Sequence, residues 1–190
     1  MKKFLAAMTL LCMTGNAAAQ EVSPEVDRGI ASVKQKKIAL GAEARSFDSS
    51  PEFIFKYKNL SLDYIRSSDT LHFIKLKADK EIFSLMGTGL EWNVALNAVD
   101  SRDRIYLLPS VGINFYMRIR PRLDIYLQYS GLTLGRLGHV EDFESGIKYF
   151  PQKNLSISAG WRRVDFKMRR GGDTGYFISD GLFAGVRYDF

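Results

Sequence analysis

The chain has 190 residues, 46% hydrophobic, 25% charged and 13% aromatic, with 27 basic against 21 acidic side chains and one Cys. That profile excludes a disordered chain, and beyond the first twenty positions no uncharged apolar run is long enough to cross a membrane as a helix. A membrane barrel is not excluded, because strands that alternate lipid-facing and lumen-facing residues average to near-neutral hydropathy.

Residues 1–19 have the layout of a secretory signal peptide: Lys2 and Lys3, an apolar stretch from Phe4 to Met13, and Ala17-Ala18-Ala19 as the cleavage site. Thr9-Leu10-Leu11 lacks the small residue that a lipobox places before its Cys, so Cys12 is read as part of the apolar stretch. Cleavage after Ala19 removes the sole Cys, and loss of Lys2 and Lys3 lowers the formal charge from +6 to +4. An exported chain without disulfides needs a good core or a closed sheet. The remaining basic excess is too small and scattered to point to nucleic acid. Its densest clusters, Arg118–Arg122 and Arg162–Arg170, read as solvated turn and strand-end charges, with contact to anionic lipid head groups as the sharper alternative.

Residues 20–35, with Pro24, Gly29 and Lys34, are expected to form a periplasmic lead-in, and 36–190 the barrel. A strand over 37–45 places Ile38, Leu40, Ala42 and Ala44 on one face and Lys37, Glu43 and Arg45 on the other. From 53 to 64 the phase slips: Phe53, Phe55 and Tyr57 are odd, Leu60, Leu62 and Tyr64 even. A bulge near Asn59 keeps this as one strand, and a turn at Lys58-Asn59 makes it two. Ser67-Ser68-Asp69 and Asp79-Lys80 read as turns. Ile74, Leu76 and Ala78 oppose Lys75 and Lys77; Leu90, Trp92, Val94 and Leu96 oppose Glu91, Asn93 and Asn97.

The alternation continues with Ile105, Leu107, Val111, Ile113, Phe115 and Met117 against Ser110, Gly112, Asn114 and Arg118. It is repeated by Leu123 to Tyr129, Phe143 to Tyr149, Leu155 to Trp161 and Leu182 to Phe190. Short links at 118–122 and 151–154 alternate with longer polar ones at 97–104, 131–139 and 167–176, the arrangement of an outer-membrane barrel with its long loops outside the cell. The count is nine strands with the bulge or ten with the turn. Because single-chain bacterial barrels have even counts, the expectation is an all-β, up-and-down antiparallel transmembrane β-barrel of 8 to 10 strands.

The last strand ends in aromatic residues at alternate positions, with Val186, Tyr188 and Phe190 on one face. This resembles the C-terminal signal that bacterial outer-membrane barrels present to the barrel assembly machinery. Further along the same lines, the stretches Arg122–Tyr126, Glu141–Tyr149, Leu155–Arg162 and Asp180–Val186 together resemble the YfaZ family of small bacterial outer-membrane proteins. The resemblance covers about the last seventy residues and implies a Gram-negative outer-membrane barrel, porin-like in architecture, without an assigned activity.

The lumen-facing charges Glu91, Arg118, Asp124, Glu144, Lys148, Arg162, Arg187 and Asp189 are expected to pair across a narrow interior. A water-filled pore needs about sixteen strands, too many for this chain. The two histidines, His72 and His139, read as solvated or interfacial: neither stands in a His-x-Ser motif of the lipid A deacylase type. No metal or other cofactor is expected. The function expected is a non-enzymatic, monomeric barrel with a structural or surface-contact role. Arg169, Arg170 and Asp173 would lie in an outer loop facing outer-membrane lipid, lipopolysaccharide or an external partner. A narrow solute channel and a rim lipid-modifying enzyme using His139 are the alternatives.

Overall fold

The computed structural model describes residues 40–67, 71–101, 104–170 and 173–190. The expected signal peptide, the lead-in and Lys37 lie outside these residues. The described chain forms ten strands and no helix: β1 (Leu40–Phe47), β2 (Ser50–Tyr57), β3 (Leu60–Arg66), β4 (Leu71–Leu85), β5 (Thr88–Ser101), β6 (Arg104–Arg120), β7 (Leu123–Thr133), β8 (Gly138–Gln152), β9 (Leu155–Arg170) and β10 (Asp173–Asp189). Each strand pairs antiparallel with its sequence neighbours, and β10 pairs with β1, so the sheet closes as an up-and-down barrel. Closure removes the edge strands that an open sheet of this length would leave exposed.

The phase slip at 53–64 is a turn. Tyr57 pairs with Leu60 across Lys58-Asn59, with Lys58 at φ 52°. Paired residues share a face, so odd positions of β2 and even positions of β3 face the same way, which is the parity change seen in the sequence. The first described strand is Leu40–Phe47; of the expected 37–45, residues 37–39 lie outside the described residues.

Two expectations are corrected. Asp79-Lys80 is not a turn: β4 runs on to Leu85 through an irregularity between Glu81 and Phe83, and reverses at Met86-Gly87, both with positive φ. Asp79 is buried and accepts a hydrogen bond from Asn114 Nδ2 at 2.8 Å, so its polarity marks the lumen. The stretches 97–104, 131–139 and 167–176 are not long loops either. β5 and β6 extend to Ser101 and Arg104, β7 and β8 to Thr133 and Gly138, and β9 and β10 to Arg170 and Asp173.

The reason is an inversion of polarity along the strands. On β9, Ser156, Ser158 and Arg162 are buried while Ile157 and Ala159 are exposed; past Arg162, Val164 and Phe166 are buried while Arg163 and Lys167 are exposed. Period-two alternation persists, but the apolar face has moved inside.

The barrel therefore has two halves. The first and last described residues, Leu40 and Phe190, and the turns at 58–59, 86–87, 121–122 and 153–154 share one end, called the terminus side. The opposite half holds an apolar core: Phe47, Ile65, Phe73, Val99, Leu108, Val140, Val164, Phe166, Phe177 and Phe183, with Tyr106 and Tyr126. Phe73 and Phe177 stack at 5.1 Å between ring centroids. Phe183 lies against the wall at Gly160, where an added Cβ would sit 2.9 Å from its ring. Only a residue without a side chain admits that approach.

Candidate functional site

Reading β1, β3, β4 and β9 from the apolar end toward the opposite one, the lumen-facing residues change from hydrocarbon to polar or charged: Phe47, Arg45, Glu43 on β1; Ile65, Asp63, Ser61 on β3; Phe73, Lys75, Lys77, Asp79 on β4; Val164, Arg162 on β9. Where the strands converge, two guanidiniums organise five carboxylates. Arg162 grips Asp142 with two bonds, Nε to Oδ1 at 2.9 Å and Nη2 to Oδ2 at 2.7 Å. Its Nη1 donates to Glu52, and Asp63 and Glu144 each lie 3.6 Å away.

Arg45 Nη1 reaches both oxygens of Glu144 at 2.9 Å, and its Nε donates to Glu43 at 2.7 Å. Lys75 Nζ adds a third cation, bonded to Asp142 at 2.7 Å and Ser130 Oγ at 2.8 Å. The Tyr126 hydroxyl donates to Glu144 and the Ser158 hydroxyl to Glu43. Both guanidiniums also lie over aromatic faces of the core, Arg45 at 4.7 Å from Phe183 and Arg162 at 5.7 Å from Phe47. Planar guanidinium groups suit such bidentate, stacked positions better than ammonium does.

Of the eight charges expected to form one lumen network, Glu144 and Arg162 are in this cluster. The others are placed separately, nearer the termini. Arg187 pairs with Asp189 at 2.6 Å, and Arg118 with Asp124 at 3.0 Å in a more exposed setting. Glu91 accepts from Asn114 at 3.4 Å, and Lys148 sits 5.5 Å from the Tyr126 ring. Register decides which of these residues reach the axis together: two of the eight join the central cluster and six make satellite contacts.

Glu52, Asp63 and Asp142 are central yet absent from the expected set. Each continues a phase already visible: Glu52 precedes Phe53, Asp63 lies between Leu62 and Tyr64, and Asp142 precedes Phe143. Extending two of those strands by one residue reaches Glu52 and Asp142, and Asp63 lies inside the alternation already.

The apolar end is closed. Phe47, Ile65, Phe73, Val99, Val140, Val164, Phe166 and Phe177 are each 0% exposed, which side chains lining a water-filled bore would not be. On the terminus side a cavity of about 100 Å³ remains, lined by residues including Lys56, Ser61, Asp63, Lys77, Asn93, Lys148 and Arg187.

Arg169, Arg170 and Asp173 stand on paired strands, not in a loop: Arg169 opposes Thr174, and Arg170 opposes Asp173. Asp173 also accepts a bond from Arg104. Val186, Tyr188 and Phe190 lie on the outer face beside the β1–β10 seam, where Val186 opposes Ala44 and Phe190 N donates to Leu40 O at 2.9 Å. Tyr188 and Phe190 pack edge to face at 5.1 Å.

The histidines are held by neighbours other than serine. His72 Nδ1 is 2.9 Å from the Tyr64 hydroxyl, and His139 Nε2 is 3.0 Å from Asp165 Oδ1. Neither arrangement among the described residues brings a serine hydroxyl to the imidazole.

Outside, the barrel carries an apolar belt, which on β6 and β10 extends into the core half, where Ile105, Leu107, Tyr176 and Ile178 are exposed. Leu76, Leu96, Val111, Ile113, Ile147, Ile157, Leu182 and Val186 are all exposed, Leu182 by 77%. Trp92, Tyr129, Tyr149, Tyr188 and Phe190 are exposed among them.

No protein-family model matches the chain, and no curated protein matches it.

Proposed function

We propose that this chain is a non-enzymatic β-barrel of the bacterial outer membrane, exported by a cleavable signal peptide and closed to solute flow, with a structural or surface-contact role. The observation that carries this reading is the exposed apolar belt around a charged interior. Monomeric soluble proteins rarely expose contiguous apolar surface beyond a few hundred Å², whereas a lipid-facing band with aromatic residues among it is what a spanning barrel needs.

In this reading the end that holds Leu40, Phe190 and the turns at 58–59, 86–87, 121–122 and 153–154 faces the periplasm. The opposite ends of β8 and β9 stand out of the lipid, with Glu141, Arg163, Asp165, Lys167 and Arg169 on their outer face. These mixed charges suit lipopolysaccharide or an external partner, and the contact surface is a strand face, where the sequence suggested a loop. Insertion would run through the assembly machinery by way of Val186, Tyr188 and Phe190. Kinship with the YfaZ family remains part of the proposal and rests on the C-terminal residues alone.

The dry apolar plug speaks against the narrow channel, and neither His72 nor His139 has a serine hydroxyl among its hydrogen-bond partners in the described residues, as the rim enzyme would need. The test is fractionation with gel mobility before and after boiling, followed by bilayer recording of the purified protein. The expected result is outer-membrane recovery, faster migration of the unboiled form, and traces without discrete conductance. A periplasmic protein with one mobility would end the membrane reading, and stepwise conductance would end the closed one.

A further inference from the structure

Three cations from alternate strands line one sector of the terminus-side cavity: Lys56 on β2, Arg187 on β10 and Lys148 on β8, with β1 and β9 between them. Register sets them at a common depth. The row of paired residues through Lys148 passes Ser158 and meets β10 at Gly185, and the row through Lys56 passes Gly41 and meets β10 at Asp189. Arg187 is the lumen-facing residue between those two points. Gly41 lets its guanidinium lean toward β2: a Cβ there would sit 3.0 Å from Arg187 Nη2, and Lys56 stands directly opposite Gly41.

The acids at this depth are engaged elsewhere. Glu43 is bonded to Arg45 and to Ser158, both at 2.7 Å. Asp79 accepts from Asn114 at 2.8 Å and lies 3.5 Å from Lys77, and Asp189 is held by Arg187 at 2.6 Å. What remains for Lys56 is Asp79 at 4.0 Å, and for Lys148 the Tyr126 ring at 5.5 Å. Neither ammonium donates a hydrogen bond among the described residues. Arg187 repels both lysines, and Lys56 repels Lys148. Like charges that face one another in a narrow lumen raise the free energy of the cavity, and an anion placed among them lowers it.

The sector is reachable from the terminus side, where the Lys56 side chain is 33% and the Arg187 side chain 18% exposed. At 10–15 Å³ per water, the volume of about 100 Å³ holds roughly seven waters, which is room for one tetrahedral oxyanion and part of its hydration.

We propose that this vestibule binds a small oxyanion of the phosphate class between Lys56, Lys148 and Arg187. The site is built from lumen side chains alone, so phosphate binding stands or falls whether or not lipid surrounds the barrel.

The test is calorimetric titration of the folded, detergent-solubilised protein with inorganic phosphate, and separately with micelles carrying phosphatidylglycerol, the other source of the same chemistry. Inorganic phosphate should bind at one site, and Lys56→Gln and Lys148→Gln should each weaken it at least about tenfold, the loss of one charge-assisted hydrogen bond. Arg118→Gln, which changes a cation outside the cavity, should leave the affinity unchanged. Phosphate should also raise the unfolding midpoint of the parent protein and leave that of Lys148→Gln where it was, which separates binding inside the barrel from adsorption elsewhere. Should Lys148→Gln fail to fold, Lys56→Gln carries the same comparison. Absence of phosphate binding, or binding that survives both lysine substitutions, would overturn the proposal, as would a Lys148-dependent response to phosphatidylglycerol alone.

Discussion

Arg162→Ala should destabilise the folded barrel by about 3–5 kcal/mol, the cost of leaving buried charge uncompensated. Arg162 is 1% exposed and is the common partner of Glu52 and Asp142, with Asp63 and Glu144 at 3.6 Å. Its removal leaves Arg45 and Lys75 to face five carboxylates in a region that water does not reach freely. The measurement is a denaturant titration followed by tryptophan fluorescence. The same reasoning fixes the sign of the rescue: adding Glu52→Gln and Asp142→Asn to Arg162→Ala should recover much of the loss, because the cost lies in unpaired charge and not in lost volume. If the triple variant were as unstable as the single one, loss of the Arg162 guanidinium over the Phe47 ring would be the cause instead.

Val186→Arg should cost about 2–4 kcal/mol when the protein is folded in lipid vesicles. Val186 is 52% exposed, midway along the outward series Leu182, Ala184, Val186, Tyr188 and Phe190. Arg at that depth must either desolvate or distort the bilayer. If water covered the same surface, an exposed Val→Arg change would fall within about 0.5 kcal/mol of neutral. Glu141→Arg supplies the contrast: Glu141 is exposed on β8 with Asp165 opposite, where polar residues already occupy the outer face, and its substitution should be nearly silent in lipid. Comparison of unfolding midpoints for the two variants in vesicles decides the matter, and equal midpoints would remove the support for a lipid-facing belt.

Sequence reading was most informative where one face stays apolar and outward. The outer series of β10, from Leu182 to Phe190, and of β6, from Ile105 to Met117, are as expected. The ten-strand count was latent in the parity change between Tyr57 and Leu60, which only the pairing of those two residues decides.

What escaped has a physical cause. At Arg162-Arg163-Val164 the buried face passes from charge to hydrocarbon, so the polar residues beyond are outward-facing strand residues that look like loop composition. Asp79-Lys80 was misleading for the related reason that a buried acid and a turn acid are the same letter. The pairing of Arg162 with Glu52, 110 positions apart, depends on register and barrel closure, neither of which periodicity encodes.

The most direct measurement is quenching of tryptophan fluorescence in vesicles containing brominated acyl chains. Trp92 and Trp161 both lie on the outer face of the terminus half, Trp92 exposed and Trp161 packed on Phe143. A barrel that spans the bilayer with its apolar belt in lipid should lose fluorescence to the brominated chains and be protected from aqueous iodide. Quenching by iodide with no response to the brominated lipid would contradict it.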